Sequence, residues 1–326
     1  MNNLVELHLH LDGSLSIENI KKIAILQNID IPGDVEIVNK MIAKDCHDLN
    51  EFLTKFDFPL SLLQTKEGIT NSVKNLEEEL IEQGIIYAEI RFAPQLHVRK
   101  GLTVEEVVNA AIEGLKLSSL KSNLILCCMR GNNHEENIET VKLAKKYLGK
   151  GVCAIDLAGA EGLYPTSDYE DIFELANELG IPFTIHAGEA DGPSSVYDAI
   201  RFGAKRIGHG VRSIEDSNLV QLIKNKGITL EICPTSNIYT GIYDKISDIP
   251  IKEFIDNGVK ITINTDDPVI CNTTLKNELT IVKDVFNLTD KEMIELQLNA
   301  INASFASKEV KEEIIERIMK WTNIWN

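Results

Sequence analysis

Short apolar runs and longer amphipathic segments alternate along this chain. The runs are rich in Val and Ile and fall at 5–11, 85–92, 123–129, 152–157, 183–186, 206–208, 229–233 and 260–264. Several are apolar at nearly every position, as parallel strands covered on both faces are. Between them, apolar residues recur at helical spacing. In 70–83, TNSVKNLEEELIEQ, the pattern places Val73, Leu76, Leu80 and Ile81 on one face. Segments 104–117 and 168–179 read the same way. Gly84, Gly149, Gly180, Gly203, Gly227 and Gly258 stand after helical segments and before strands, where helix C-caps belong. Eight strands with helical followers predict an α/β chain folded as a (β/α)8 TIM barrel. Such a barrel usually takes roughly 250 residues. A helical insertion after strand one (17–83) and a C-terminal helical tail (275–325) account for the rest, within a single domain over 1–326. A doubly wound open sheet is the alternative; against it, no G-x-G-x-x-G follows the first strand.

Charge narrows the partners. Fifty acidic residues against 33 basic ones give a formal net charge of −17. Such a chain repels polyphosphate, so neither nucleic acid nor an anionic membrane is an expected partner. The longest apolar run, around 124–129, suits a buried strand and is too short to span a bilayer. The N-terminal residues carry no basic flank or apolar stretch of a secretion signal. Six cysteines without C-x-x-C spacing then fit reduced thiols and a cytoplasmic location. Oligomeric state is not legible.

Four of the seven histidines lie within or at the end of predicted strands, and barrel active sites form where those ends converge. In His8-Leu9-His10 the two imidazoles project to one side of a strand and can share a metal ion. Two polar residues on a solvated face would be the plainer reading, but Leu7, Leu9 and Leu11 make this strand buried. His186-Ala187-Gly188-Glu189 ends strand five; its carboxylate is a candidate ligand, proton shuttle or helix N-terminal anion. Gly208-His209-Gly210 ends strand six and is also readable as a core histidine. Asp266-Asp267-Pro268 ends strand eight; adjacent buried carboxylates need a cation, although Asp before Pro is also a helix start. Together the strand ends offer His, His, His and Asp, a donor set for Zn²⁺, with Fe²⁺, Co²⁺ or Mn²⁺ as rivals. Other templates fail. His134-Glu135-Glu136 begins H-E-x-x-H, but position 138 is Ile, and neither a G-x-S-x-G elbow nor a Walker loop occurs. His47, His97 and His134 are assigned to surface or core, and Trp321 and Trp325 to docking of the tail.

These stretches, with Val5 to Gly13, Asp156-Leu157-Ala158-Gly159, Asn264-Thr265 and the terminal Asn299-Ala300 to Ser304-Phe305, resemble the adenosine deaminase family in order and spacing. The resemblance implies a metal-dependent barrel that hydrolyses adenosine and 2′-deoxyadenosine to the inosine forms and ammonia. It implies one Zn²⁺ per chain on His8, His10, His186 and Asp266, with Glu189 on purine N1 and His209 facing the attacking water. Asp267 would orient that water and touch N7. The Gly159 amide would donate to N3, and Asp12 would meet the ribose 5′-hydroxyl beside His10. Leu49, Phe52, Leu53 and Phe56, at i, i+3, i+4 and i+7 of 49–56, resemble the family's apolar lid. Ala160 stands where animal members carry an acidic residue, which questions one supporting contact.

The partner so implied is a small purine nucleoside. Deaminases of adenine or of modified adenine derivatives are the rivals; Asp12 argues against them, since the adenine branch typically has Glu there and the methyl-adenylate branch Asn. A catalytically inactive binding barrel is the rival of another class, and every position the chemistry needs is filled.

Overall fold

Eight strands form where the apolar runs fall: β1 (Leu4–His10), β2 (Ile85–Phe92), β3 (Lys121–Met129), β4 (Val152–Ala158), β5 (Thr184–Ala187), β6 (Arg206–His209), β7 (Thr229–Ile232) and β8 (Lys260–Ile263). In the computed structural model, which describes residues 3–322, they pair in sequence order as two four-stranded sheets, every pair parallel. Parallel bridges join the sheets at both seams, Leu9 to Asp266 and Ile155 to Phe183. Strands in sequence order with both edges joined leave no switch point for an open doubly wound sheet.

The strands alternate more strictly than their apolar look suggests. Val5, Leu7 and Leu9 of β1, and Ala88, Ile90 and Phe92 of β2, pack outward in apolar clusters. Glu6 and His8, Glu89 and Arg91, Asp156, Thr184, Arg206 and Glu231 are also buried, and they meet one another inside the barrel. Arg91 donates to Asp156 and Glu231 (both 2.8 Å), and Arg206 to Glu89 (2.6 Å) and Glu231 (2.5 Å). The interior is therefore an ionic lattice rather than the usual branched aliphatic layers. A buried charge this deep is tolerable only when paired, and Arg91, Arg206, Asp156, Glu89 and Glu231 all are, while burial raises the unpaired Glu6 to about 8.

Helices cover the outside. Lys66–Glu82, Val104–Lys116 and Glu170–Leu179 realise the three predicted amphipathic segments, and the six glycines named above all have positive φ. One expectation fails: Ile81 is exposed. The buried stripe runs Ile69, Val73, Leu76, Leu80, and position 81 lies about 100° from Leu80 around the axis.

The insertion contributes Ile17–Gln27, Asp34–Met41, Leu49–Leu53 and Asp57–Leu62 near the C-terminal strand ends. The tail closes the other end. Ala300, Ile301, Ile314 and Ile318 pack on Val5, Leu7, Ile86 and Tyr87. The Phe305 ring lies 4.1 Å from the Arg206 guanidinium, and its N–H donates to Glu89. The docking expected of Trp321 and Trp325 concerns side chains outside the described residues.

Candidate active site

Every predicted site residue meets at one cavity or on its wall. His10, Asp12, Leu49, Phe52, Leu53, Phe56, Gly159, His186, Glu189, His209, Asp266 and Asp267 line it, and its volume is about 200 Å³. His8 lies directly behind. His47 and His134 are exposed and His97 is buried elsewhere, as expected.

Four donors converge: ligand atoms of His8, His10, His186 and Asp266 all lie within 4.8 Å of one another. The seam makes this possible. Asp266 follows β8, and its N–H donates to His8 O while its carbonyl accepts from His10 N–H (both 2.8 Å). The tautomer of His8 follows from its surroundings. Burial would raise Glu231, but Arg206 and Arg91 hold its carboxyl well below the ordinary range. It therefore accepts from His8 Nδ1 at 2.8 Å, which leaves Nε2 as the free face. That atom is buried, has no hydrogen-bond partner and lies 3.1 Å from Asp266 Oδ1. Burial and Arg91 oppose a proton on His8, yet Asp266 and Glu231 outweigh them and raise it, so the pocket favours positive charge. An orphaned nitrogen, a carboxylate and two further imidazoles fit a divalent cation. His186 Nδ1 lies 2.9 Å from an Asp156 carboxylate oxygen, within ion-pair distance.

Around this cluster stand the other groups. Burial, then Asp266 and Glu161, push the Glu189 carboxyl well above the usual range. Burial lowers His209, so its imidazole is neutral; Asn237 Nδ2 lies 3.1 Å from Nδ1, and Nε2 lies 3.7 Å from Glu189 and 3.8 Å from Asp266. Asp267 is buried with Oδ1 unpartnered, and burial with Asp266, Asp12 and Glu189 pushes it up. It also explains Gly13, where a Cβ would lie 1.7 Å from Asp267 Oδ1. Burial raises Asp12 to about 6. Phe52 and Phe56 meet edge to face at 6.0 Å over the cavity.

Sequence reasoning missed several residues here. Asp156 and Glu231 orient two histidines and Arg91 ties them together; charged residues at alternate positions of apolar strands were the signal. Leu60, Leu96, Met129 and Asp57 complete the cavity wall. The residue after Ala160, Glu161, was also missed; it is buried and accepts from the amides of Gly188, Glu189, Ala190 and Asp191.

Comparisons with known proteins point to one family. The family model described as adenosine deaminase matches residues 3–321. The chain is 44% identical to an adenosine deaminase of Haemophilus ducreyi, covering 97% of this chain and 96% of that one. It is 42% identical to one of Clostridium botulinum, covering 94% of each. Among solved structures it resembles an adenine deaminase from Arthrobacter aurescens (TM-score 0.88, 27% identity, 99% and 100% coverage) and an Arabidopsis N6-mAMP deaminase (TM-score 0.87, 26% identity, 97% of each).

Proposed function

The chain belongs to the adenosine deaminase family, and we propose from that premise that it hydrolyses free adenosine and 2′-deoxyadenosine to inosine or 2′-deoxyinosine and ammonia. One observation carries the choice of a free nucleoside: the cavity is lined by Asp12, Asp57, Glu189, Asp266 and Asp267, and by no Lys or Arg. A 5′-phosphate set beside Asp12 would find no Lys or Arg among the described lining residues to pair with, which discriminates against adenylates. Asp12 accepts a ribose hydroxyl, a bond to a charged group worth roughly 1.5–3 kcal/mol that free adenine forgoes.

His8, His10, His186 and Asp266 would hold the metal, one Zn²⁺ per chain. When bound, such an ion supplies a water that loses its proton near neutral pH. The chain's own residues do the rest. Glu189, kept protonated by burial and neighbouring carboxylates, donates to purine N1 and makes C6 electrophilic. His209, neutral and held by Asn237, accepts the proton of the attacking water. Asp267 sets the direction of attack and contacts N7, and the Gly159 amide meets N3. Leu49, Phe52, Leu53 and Phe56 cover the purine and exclude bulk water. We read residues 1–326 as one domain, because insertion and tail share apolar clusters with the barrel strands.

The test is an ultraviolet assay of the purified protein with adenosine, 2′-deoxyadenosine, 5′-deoxyadenosine, adenosine monophosphate and adenine. The two nucleosides should dominate in kcat/KM. Loss of the 5′-hydroxyl should cost the wild type more than Asp12→Ala. A preference for the monophosphate or for adenine would overturn the nucleoside assignment.

A further inference from the structure

Glu189 stands on a loop whose backbone is held from outside. Between β5 and the helix Pro193–Phe202, four consecutive amides point at one carboxylate, that of Glu161, which is only 1% exposed. Its Oε1 accepts from Gly188 N–H (2.7 Å) and from the Ser195 hydroxyl (2.5 Å). Its Oε2 accepts from the N–H groups of Glu189 (3.0 Å), Ala190 (2.8 Å) and Asp191 (2.9 Å). Four consecutive amides converging on one carboxylate form a nest, and the buried ones, of Gly188 and Glu189, would be unsatisfied without it. Neighbouring groups brace the arrangement. Arg130 donates to His186 O and Thr166 Oγ1, and Thr166 Oγ1 lies 2.7 Å from Ser195 Oγ. The turn itself is tight: Gly188 has φ +70°, and a Cβ there would lie 2.5 Å from Val196 Cγ2.

We propose that Glu161 is a positioning residue for the deamination, fixing through four amide hydrogen bonds the loop from which Glu189 meets purine N1. The proposal rests on the reading of Glu189 as the proton donor to N1. No residue inside the loop supplies the acceptor that these amides need, so the direction of the Glu189 side chain depends on a group 28 positions earlier in the chain. Glu161 touches no reacting atom. It acts by holding a donor within hydrogen-bond reach, and a misplacement of about 1 Å costs on the order of 10²-fold in rate. A glutamine there presents N–H groups to some of the same amides, so it keeps the size of the side chain and loses the nest.

The experiment is a double-variant cycle on the metal-loaded enzyme. Glu161→Gln should lower kcat about 10²-fold with KM within about threefold, metal content unchanged, and Glu161→Asp should restore part of the loss. Glu161→Gln combined with Glu189→Gln should be no slower than Glu189→Gln alone, because the group being positioned is already gone. Losses that multiply in the double variant, or a kcat for Glu161→Gln within about twofold of wild type, overturn the proposal. Hydrogen exchange on the wild type covers the case in which Glu161→Gln does not fold. Amides 188–191 should exchange slowly, and unprotected exchange overturns the proposal too. Near-normal turnover of Glu189→Gln would instead overturn the reading of Glu189 beneath it.

Discussion

His209 and Asp266 both sit in the left-handed backbone region, at φ +57° and +62°. A non-glycine residue there costs of order 1–3 kcal/mol. Both follow or end a strand and face the cavity, and Asp266 is clamped in place by its two hydrogen bonds to β1. Elsewhere a single buried histidine carries a stability cost of its own. His97 is buried, its Nδ1 lies 2.9 Å from Leu63 O, and burial lowers its pKa to about 4. The unfolded chain binds a proton near the ordinary histidine value of 6.5 while the folded one does not, so stability contributed by the neutral ring is present above pH 6.5 and lost as pH falls towards 4. Between pH 7 and pH 5 this amounts to about 2 kcal/mol. Denaturant titrations at those two pH values should show wild type losing about that much more than His97→Gln. Equal losses would show that His97 does not titrate as buried.

At the scale of elements, strand ends carry the polar cluster and the insertion lines the apolar side of the cavity. Leu49–Leu53 begins at Asp48, whose side chain accepts from Glu51 N–H. Its cluster, Ala43, Leu49, Phe52, Ile270 and Cys271, is separate from the main core. Ala43 N–H donates to Ile270 O, which ties the lid to the segment after β8. A lid with its own small core can lose a side chain without unfolding the barrel. Phe52→Ala should therefore raise KM for adenosine about 10- to 100-fold, the value of one to three kcal/mol of apolar contact, with kcat within about twofold. Steady-state kinetics on the folded variant decide it: an unchanged KM would remove Phe52 from the purine's cover.

The whole molecule is a barrel whose inside is charged. Asp156, Glu231, Glu89, Arg91 and Arg206 form one lattice, and two of its carboxylates reach His8 and His186. The candidate metal ligands are thus anchored to the fold rather than to a loop. Elemental analysis after gel filtration should find one divalent metal per chain, and His10→Ala should lose both metal and activity. Metal-free wild type with full deaminase activity would sink the assignment. Among the described residues no helix is long and apolar enough to cross a membrane. Much of this architecture was legible in the sequence, because strand and helix periods are local properties and the eight runs recur in order. The convergence of His8, His10, His186 and Asp266 was legible too, since each lies near the C-terminal end of a strand and a parallel barrel brings all such ends to one face. The ionic interior was not. Glu89, Arg91 and Glu231 look like interruptions of apolar strands until closure sets them opposite one another. Nor was Glu161, whose contacts are four amides of another segment. Pairing partners far apart in the chain are set by closure and packing, and no local pattern encodes that distance.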